Sequence, residues 1–229
     1  MNRQTTGFVP LTLSELDTLT QQLSRLLGTQ HPPVIIPGEA ILGIEAVAAG
    51  IAAPGRTILN IVTGPYGSLF GEWLTRGGAT VAEVKVPFDQ VVTVEEVAAA
   101  IELHQPVAIS LVQAEVVTGG SNPAEEIFKL ARRHDLITVT DSVSAVGGEA
   151  LSVDEWAVDF AVMGAQKKHS PVLTESARSV FLPAAGPSWS RTNGLRAIPF
   201  CPCWICSGPR MAQRSSASRR ISRSWKPEL

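Results

Sequence analysis

The chain has 229 residues, 45% of them hydrophobic and only 6% aromatic, enough for one large core or two small ones without reliance on aromatic packing. No apolar run reaches membrane-spanning length and the amino terminus, MNRQTTGFVP, has no apolar secretory segment, so a cytoplasmic protein is expected. The net charge of −2 conceals a split, because residues 1–167 hold 19 acidic against 9 basic side chains (−10) while residues 168–229 hold 2 against 10 (+8), and the two regions are expected to differ in role.

Leu13, Leu16, Leu19, Leu23, Leu26 and Leu27 recur at helical spacing and predict an amphipathic helix over 11–27, capped by Thr12 or Ser14 and ended by Gly28. Val34-Ile35-Ile36 reads as a short buried strand. A helix over 40–53 opens after Pro37-Gly38-Glu39 and stops at Pro54-Gly55. Residues 57–62 form a strand ending in Thr63-Gly64-Pro65-Tyr66-Gly67, and a helix continues to Arg76. A strand over 80–86, a helix over 93–104 with Val94, Val97, Ala98 and Ile101 inward, and a strand over 106–112 follow. The helix over 123–134 is predicted to take Asn122 as its cap and Pro123 as its first residue. Two further apolar runs, Leu136–Thr140 and Phe160–Met163, end the regular pattern. Strands alternating with helices of this length require crossover connections, hence an α/β fold with a mainly parallel sheet.

Chemistry is expected where these strands end. The first of the two last runs ends in Asp141, and the second in Gly164-Ala165-Gln166-Lys167. A carboxylate and an amine are thereby delivered to the carboxyl edge of one sheet, where open α/β sheets bind ligands. Such a pair suits pyridoxal phosphate, whose aldehyde takes a lysine as a Schiff base and whose pyridinium nitrogen pairs with an aspartate. His31, His104 and His134 fall at loops or helix ends without metal-ligand spacing and are read as surface residues.

Asp141-Ser142-Val143, Gly147-Gly148 and Ala165-Gln166-Lys167, in this order and spacing, resemble the class V pyridoxal-phosphate-dependent aminotransferases of the alanine–glyoxylate and serine–pyruvate type. The resemblance runs from about Leu13 to Lys167. It implies the large domain of fold type I, three layers αβα around a mainly parallel sheet, here incomplete. It also implies roles. Lys167 would hold the pyridoxal 5'-phosphate and act as general base and acid, and Asp141 would keep the pyridine nitrogen protonated. Tyr66 would stack on the ring, Gln166 would lie beside the cofactor, and Thr118 would touch it. Gly38, Glu39, Ala40 and Ile41 occupy the place of the family's phosphate cup, where the free amides of a helix start suit an anion. The reaction implied is transfer of an amino group from alanine or serine to glyoxylate or a similar 2-oxo acid, by a homodimer.

The chain departs from the family pattern at named positions. Glu39 stands in a loop that is usually Gly-Ser-Gly-like, and a carboxylate there repels a phosphate unless it turns away and caps the helix. Val116 and Val117 replace both serines of a Glu-Ser-Ser-Thr-Gly pattern of which Glu115, Thr118 and Gly119 are kept, and Gln113 stands where a histidine is common.

After Lys167 the pattern is lost. Residues 168–229 contain 11 Ser and 8 Arg, no Asp and no sustained period. Cys201, Cys203 and Cys206 form C-x-C-x-x-C without a fourth ligand nearby, so no metal is expected. Three segments result: an N-terminal helical segment (1–30), the cofactor-binding large-domain part (31–167), and a basic Ser/Arg-rich tail (168–229). The tail is expected to be disordered and the product of a frameshift, because codons for Lys168–Cys206 can be chosen so that a shifted frame continues the family pattern. On that reading the strands that follow Lys167 in the family are missing, one side of the sheet is left incompletely covered, and the tail's positive charge lies loosely against the acidic remainder. Two other functions compete with the transaminase: an inactive truncated remnant of such an enzyme, and a protein that binds a partner through its basic tail. No nucleic-acid motif accompanies the tail's arginines, so neither nucleic acid nor membrane is an expected partner.

Overall fold

The computed structural model describes residues 11–164 and 179–183. By its contacts the chain divides into residues 1–198 and 199–229, and every described residue belongs to the first unit. The first helix, α1 (Leu13–Leu27), starts with a capping box: Glu15 N–H donates to Thr12 Oγ1, and Thr12 N–H donates to the Glu15 carboxylate at 2.8 Å. It ends at Gly28, which adopts a left-handed φ of 62°. A Cβ there would also come within 2.9 Å of Ser152 Cα, so both the turn and the close approach require glycine. Of the leucines at helical spacing, Leu23 and Leu27 are buried and Leu19 packs on the core, whereas Leu13 and Leu26 face outward.

The remaining elements alternate as predicted. They are β1 (Pro33–Pro37), α2 (Ala40–Ile51), β2 (Thr57–Val62), α3 (Pro65–Arg76), β3 (Thr80–Lys85), α4 (Val94–His104), β4 (Ala108–Val112), α5 (Ala124–Arg133), β5 (Ile137–Asp141), β6 (Phe160–Gly164) and β7 (Ser179–Pro183). One sheet contains them in the order β1-β7-β6-β5-β4-β2-β3. The pairs β3–β2, β2–β4, β4–β5 and β5–β6 are parallel. Only β7 runs against its neighbours, pairing antiparallel with both β6 and β1, so β1 shares the direction of the parallel set.

Alternate residues of each strand face opposite layers, as the two-residue period of a strand demands. Leu59 and Ile61 of β2, Ile109 and Leu111 of β4, and Ala161 and Met163 of β6 pack with α1, α4 and α5 through Leu27, Ile101, Ile127 and Phe128. Ile58, Ala108, Val139, Phe160 and Val162 pack on the other face with α2 and α3 through Ile44, Val47, Phe70 and Leu74. The architecture is three-layered, αβα, with a predominantly parallel sheet at its centre. Each fully buried Leu, Ile or Phe contributes roughly 1.5–3 kcal/mol through removal from water.

Two expectations are corrected here. Strand β7 lies in the stretch read as lacking strands, and it carries the sheet on from β6 to β1 instead of leaving that side open. Ser-Val-Phe-Leu-Pro is too short to display a period, and a strand inside a sheet need not alternate. The second concerns Asn122, which does not cap α5. The N-cap position belongs to Pro123, without a side-chain hydrogen bond, and Asn122 is buried in other contacts described below. The expectations of disorder, frameshift and charge contact for the rest of the tail lie outside the described residues, as do its three cysteines.

Candidate active site

The carboxyl ends of the parallel strands gather along one edge of the sheet, and each leads into a loop. Strand β5 ends in Asp141, whose register partners are Val112 on β4 and Val162 on β6. Its Oδ1 accepts the N–H of Val143 at 2.9 Å, a local turn that orients the carboxyl group. Ser142 is fully buried and donates from Oγ to Gln113 Oε1 at 2.8 Å. Gln113 Nε2 donates in turn to the carbonyl of Ala150 at 2.8 Å and to Glu149 at 3.2 Å. The segment after Asp141 is therefore closed back on the end of β4. Gln113, noted because a histidine is common there, serves as this brace.

A second polar brace crosses the neighbouring strand ends. Asn122 Nδ2 donates to Val112 O at 2.8 Å and to Thr63 Oγ1 at 3.0 Å, and its Oδ1 accepts from Val92 N–H at 3.2 Å. One buried amide thus ties together the loops that follow β2, β3 and β4. Within the sheet, Ser110 Oγ donates to Asn60 Oδ1 at 2.7 Å, and Asn60 Nδ2 donates to the Gly67 carbonyl of α3 at 2.9 Å. None of these partners is local, with 30 to 59 residues separating the most distant pairs, so no spacing rule in the sequence announces them.

Tyr66 is the second residue of α3 and is 37% exposed. Together with Asp141 it lines a small recess of about 10 Å³, room for roughly one water, on the α2/α3 side of the sheet. Ile44 of α2, Asn60, Ser110 and Val162 complete its principal walls. Tyr66 and Asp141 therefore border one space. Gly38, Glu39, Ala40 and Ile41 lie at the carboxyl end of β1 and the start of α2. Glu39 is the N-cap residue by position and is exposed, but its side chain makes no capping hydrogen bond, so the conditional expectation that it caps α2 is not met. Thr118 sits in the tight loop after β4, where its Oγ1 accepts Gly120 N–H at 3.1 Å. Gln166 and Lys167 lie outside the described residues; β6, which leads to them, ends at Gly164 beside β5.

The residues present fit a pyridoxal phosphate. A carboxyl group and an aromatic ring border one small recess at the strand ends, and a helix start without a side-chain cap faces the same sheet edge. Among the described residues no cluster of three or more potential metal ligands occurs, and no helix is long and apolar enough to cross a membrane.

The family model for class-V aminotransferases matches residues 14–172. The chain belongs to the class V aminotransferase family. It is 28% identical over 152 residues to pyridoxamine–pyruvate transaminase of Mesorhizobium japonicum, covering 66% of this chain and 39% of that one. Against (S)-ureidoglycine–glyoxylate transaminase of Bacillus subtilis the identity is 32% over 162 residues, 71% of this chain and 38% of the relative. The crystal structure of alanine–glyoxylate aminotransferase from Nostoc sp. superposes with a TM-score of 0.73 at 27% identity, over 81% of this chain and 48% of that one. The chain spans about two fifths of the length of the curated relatives it matches. As an aminotransferase fold, the three-layered arrangement is the one expected from the resemblance.

Proposed function

We propose that this class V aminotransferase binds pyridoxal 5'-phosphate at the carboxyl edge of the sheet, beside Tyr66 and Asp141, and transfers an amino group from alanine or serine to glyoxylate or a similar short 2-oxo acid, as a homodimer. That Tyr66 and Asp141 border one recess at the strand ends is the observation that carries the reading. The relatives agree on the acceptor side: their names specify pyruvate or glyoxylate, with differing amino donors.

When bound, the cofactor supplies the electron sink that makes the Cα–H of an amino acid acidic. The residues of this chain do the rest. Asp141 keeps a proton on the pyridine nitrogen, its carboxyl group oriented by the Val143 N–H. Tyr66 covers one face of the ring. The first amides of α2, with Thr118, receive the phosphate end. Lys167 anchors the cofactor through its amine and, once released, carries the proton taken from Cα. Gln166 precedes it at the strand end.

The test is the half-reaction of the full chain reconstituted with pyridoxal phosphate. Alanine should yield pyruvate in the wild-type protein, and Asp141→Ala should lower that rate by on the order of a hundredfold to a thousandfold, the usual cost of removing one preorganised electrostatic partner. An unchanged rate in Asp141→Ala would sink the assignment.

A further inference from the structure

Glu115 is a buried acidic side chain to which the cofactor reading gives no task. It is only 1% exposed. Its backbone is fixed on both sides, since Glu115 N–H donates to Gly120 O and Gly119 N–H donates to Glu115 O, at 2.9 and 2.8 Å. Ala114 and Ser121 bridge the base of the same loop. The side chain is therefore directed from a rigid mount and not from a mobile one.

What it meets is the start of α3. A Cβ added at Gly64 would stand 2.3 Å from the Glu115 carboxyl carbon and 2.4 and 2.6 Å from its two oxygens. Gly64 has a φ of −179°, extended backbone that any residue adopts, so the glycine is required by this contact and not by its conformation. Gly64 is the N-cap of α3 and offers no capping side chain, and Pro65 has no N–H. A carboxylate packed at that point lies at the positive end of the helix dipole, where negative charge is favoured. Tyr66 is the next residue. The opposite side of the same turn is gripped by Asn60, which donates to Gly67 O.

We propose that Glu115 is a positioning residue: its buried carboxylate holds the first turn of α3 at the cavity mouth and so fixes the Tyr66 ring relative to Asp141. The role of that ring as a cofactor platform rests on the function proposed above, but the placement of the ring does not.

The chain contains a single tyrosine, so fluorotyrosine labelling of the full-length protein reports Tyr66 alone by fluorine NMR. Glu115→Gln keeps the shape of the side chain and removes its charge. Gly64→Ala adds the methyl group that collides with it. Each should shift and broaden the Tyr66 resonance and weaken pyridoxal phosphate binding by about tenfold or more, the scale on which small misplacements cost a site. Glu115→Asp withdraws the carboxylate by one methylene, so Gly64→Ala combined with Glu115→Asp should regain the wild-type resonance and affinity. This rescue decides the matter even if one single variant folds poorly. An unmoved resonance in Glu115→Gln, or a double variant no better than Gly64→Ala, would overturn the proposal. If the resonance responds as stated while the wild-type protein binds no cofactor, the functional reading fails and the positioning role stands.

Discussion

The helices on the two faces of the sheet begin differently. Helices α1 and α4 each start with a full capping box, Thr12 with Glu15 and Thr93 with Glu96. Helices α2 and α3, which border the cavity, start at Glu39 and Gly64 with no side-chain capping bond. Helix α5 shares the far face with α1 and α4 but starts at Pro123, also without a side-chain cap. At α1 and α4 a threonine and a glutamate satisfy the first amides. The start of α3 instead packs against Glu115, and at α2, on the proposed function, the first amides are left for a phosphate.

The most severe way to break this contrast is to give α2 a cap. Glu39→Asp places a short, strongly capping side chain at its N-cap position. It should stabilise the protein slightly while lowering pyridoxal phosphate affinity by about tenfold, since the new carboxylate competes for the amides that a phosphate would use. Thermal melting and a fluorescence titration read the two opposite signs; a rise in both would end the phosphate assignment at α2. Thr93→Ala, on the far face, should do the reverse, costing about 1 kcal/mol of stability and leaving cofactor affinity unchanged. Glu39→Gln removes the charge without supplying a cap, and should tighten cofactor binding roughly two- to fivefold at low salt, an advantage that fades as salt is added.

The smallest effect is one of pH. Hydrogen bonds from the Thr12 and Thr93 backbone N–H groups, then from their hydroxyls, hold the Glu15 and Glu96 carboxyls below their ordinary value of 4.5. A carboxyl that is more acidic in the folded state contributes its full stability above the ordinary 4.5 and loses it as the pH falls from there through the lower folded-state value. Replacing both with Gln should therefore flatten the fall of the urea midpoint between about pH 5 and pH 3. An undiminished fall would mean that other carboxyls carry the acid sensitivity.

Much of this was legible in the chain itself, because the signals were local. Thr12 and Thr93 each precede a glutamate by three residues, the leucines of α1 recur at helical spacing, and Gly28, Gly77 and Pro54 punctuate the helices. That Asp141 and Tyr66 would stand at one edge of the sheet was legible because Asp141 ends β5 and Tyr66 follows β2 by a short turn. What escaped was non-local. Asn122 has the composition of a cap, yet it finds better partners in Val92, Thr63 and Val112, brought near only by the sheet. Gln113 looked like a lost histidine and proved to be a brace for Ser142 and Ala150. Strand β7 could not be recognised, because its five residues, Ser-Val-Phe-Leu-Pro, are too few to carry a period. Glu115 matched a family position, but only the distance to Gly64 gave it a physical role.

On the proposed function, the strand ends at Asp141 and Gly164 deliver a carboxylate and an amine to one cofactor. Borohydride reduction of the full chain reconstituted with pyridoxal phosphate, followed by peptide mapping, tests it most directly. The expected result is a visible absorption band that is lost in Lys167→Ala, and a covalent label on Lys167 and not on the adjacent Lys168. Label on Lys168, or scattered over surface lysines, would contradict it.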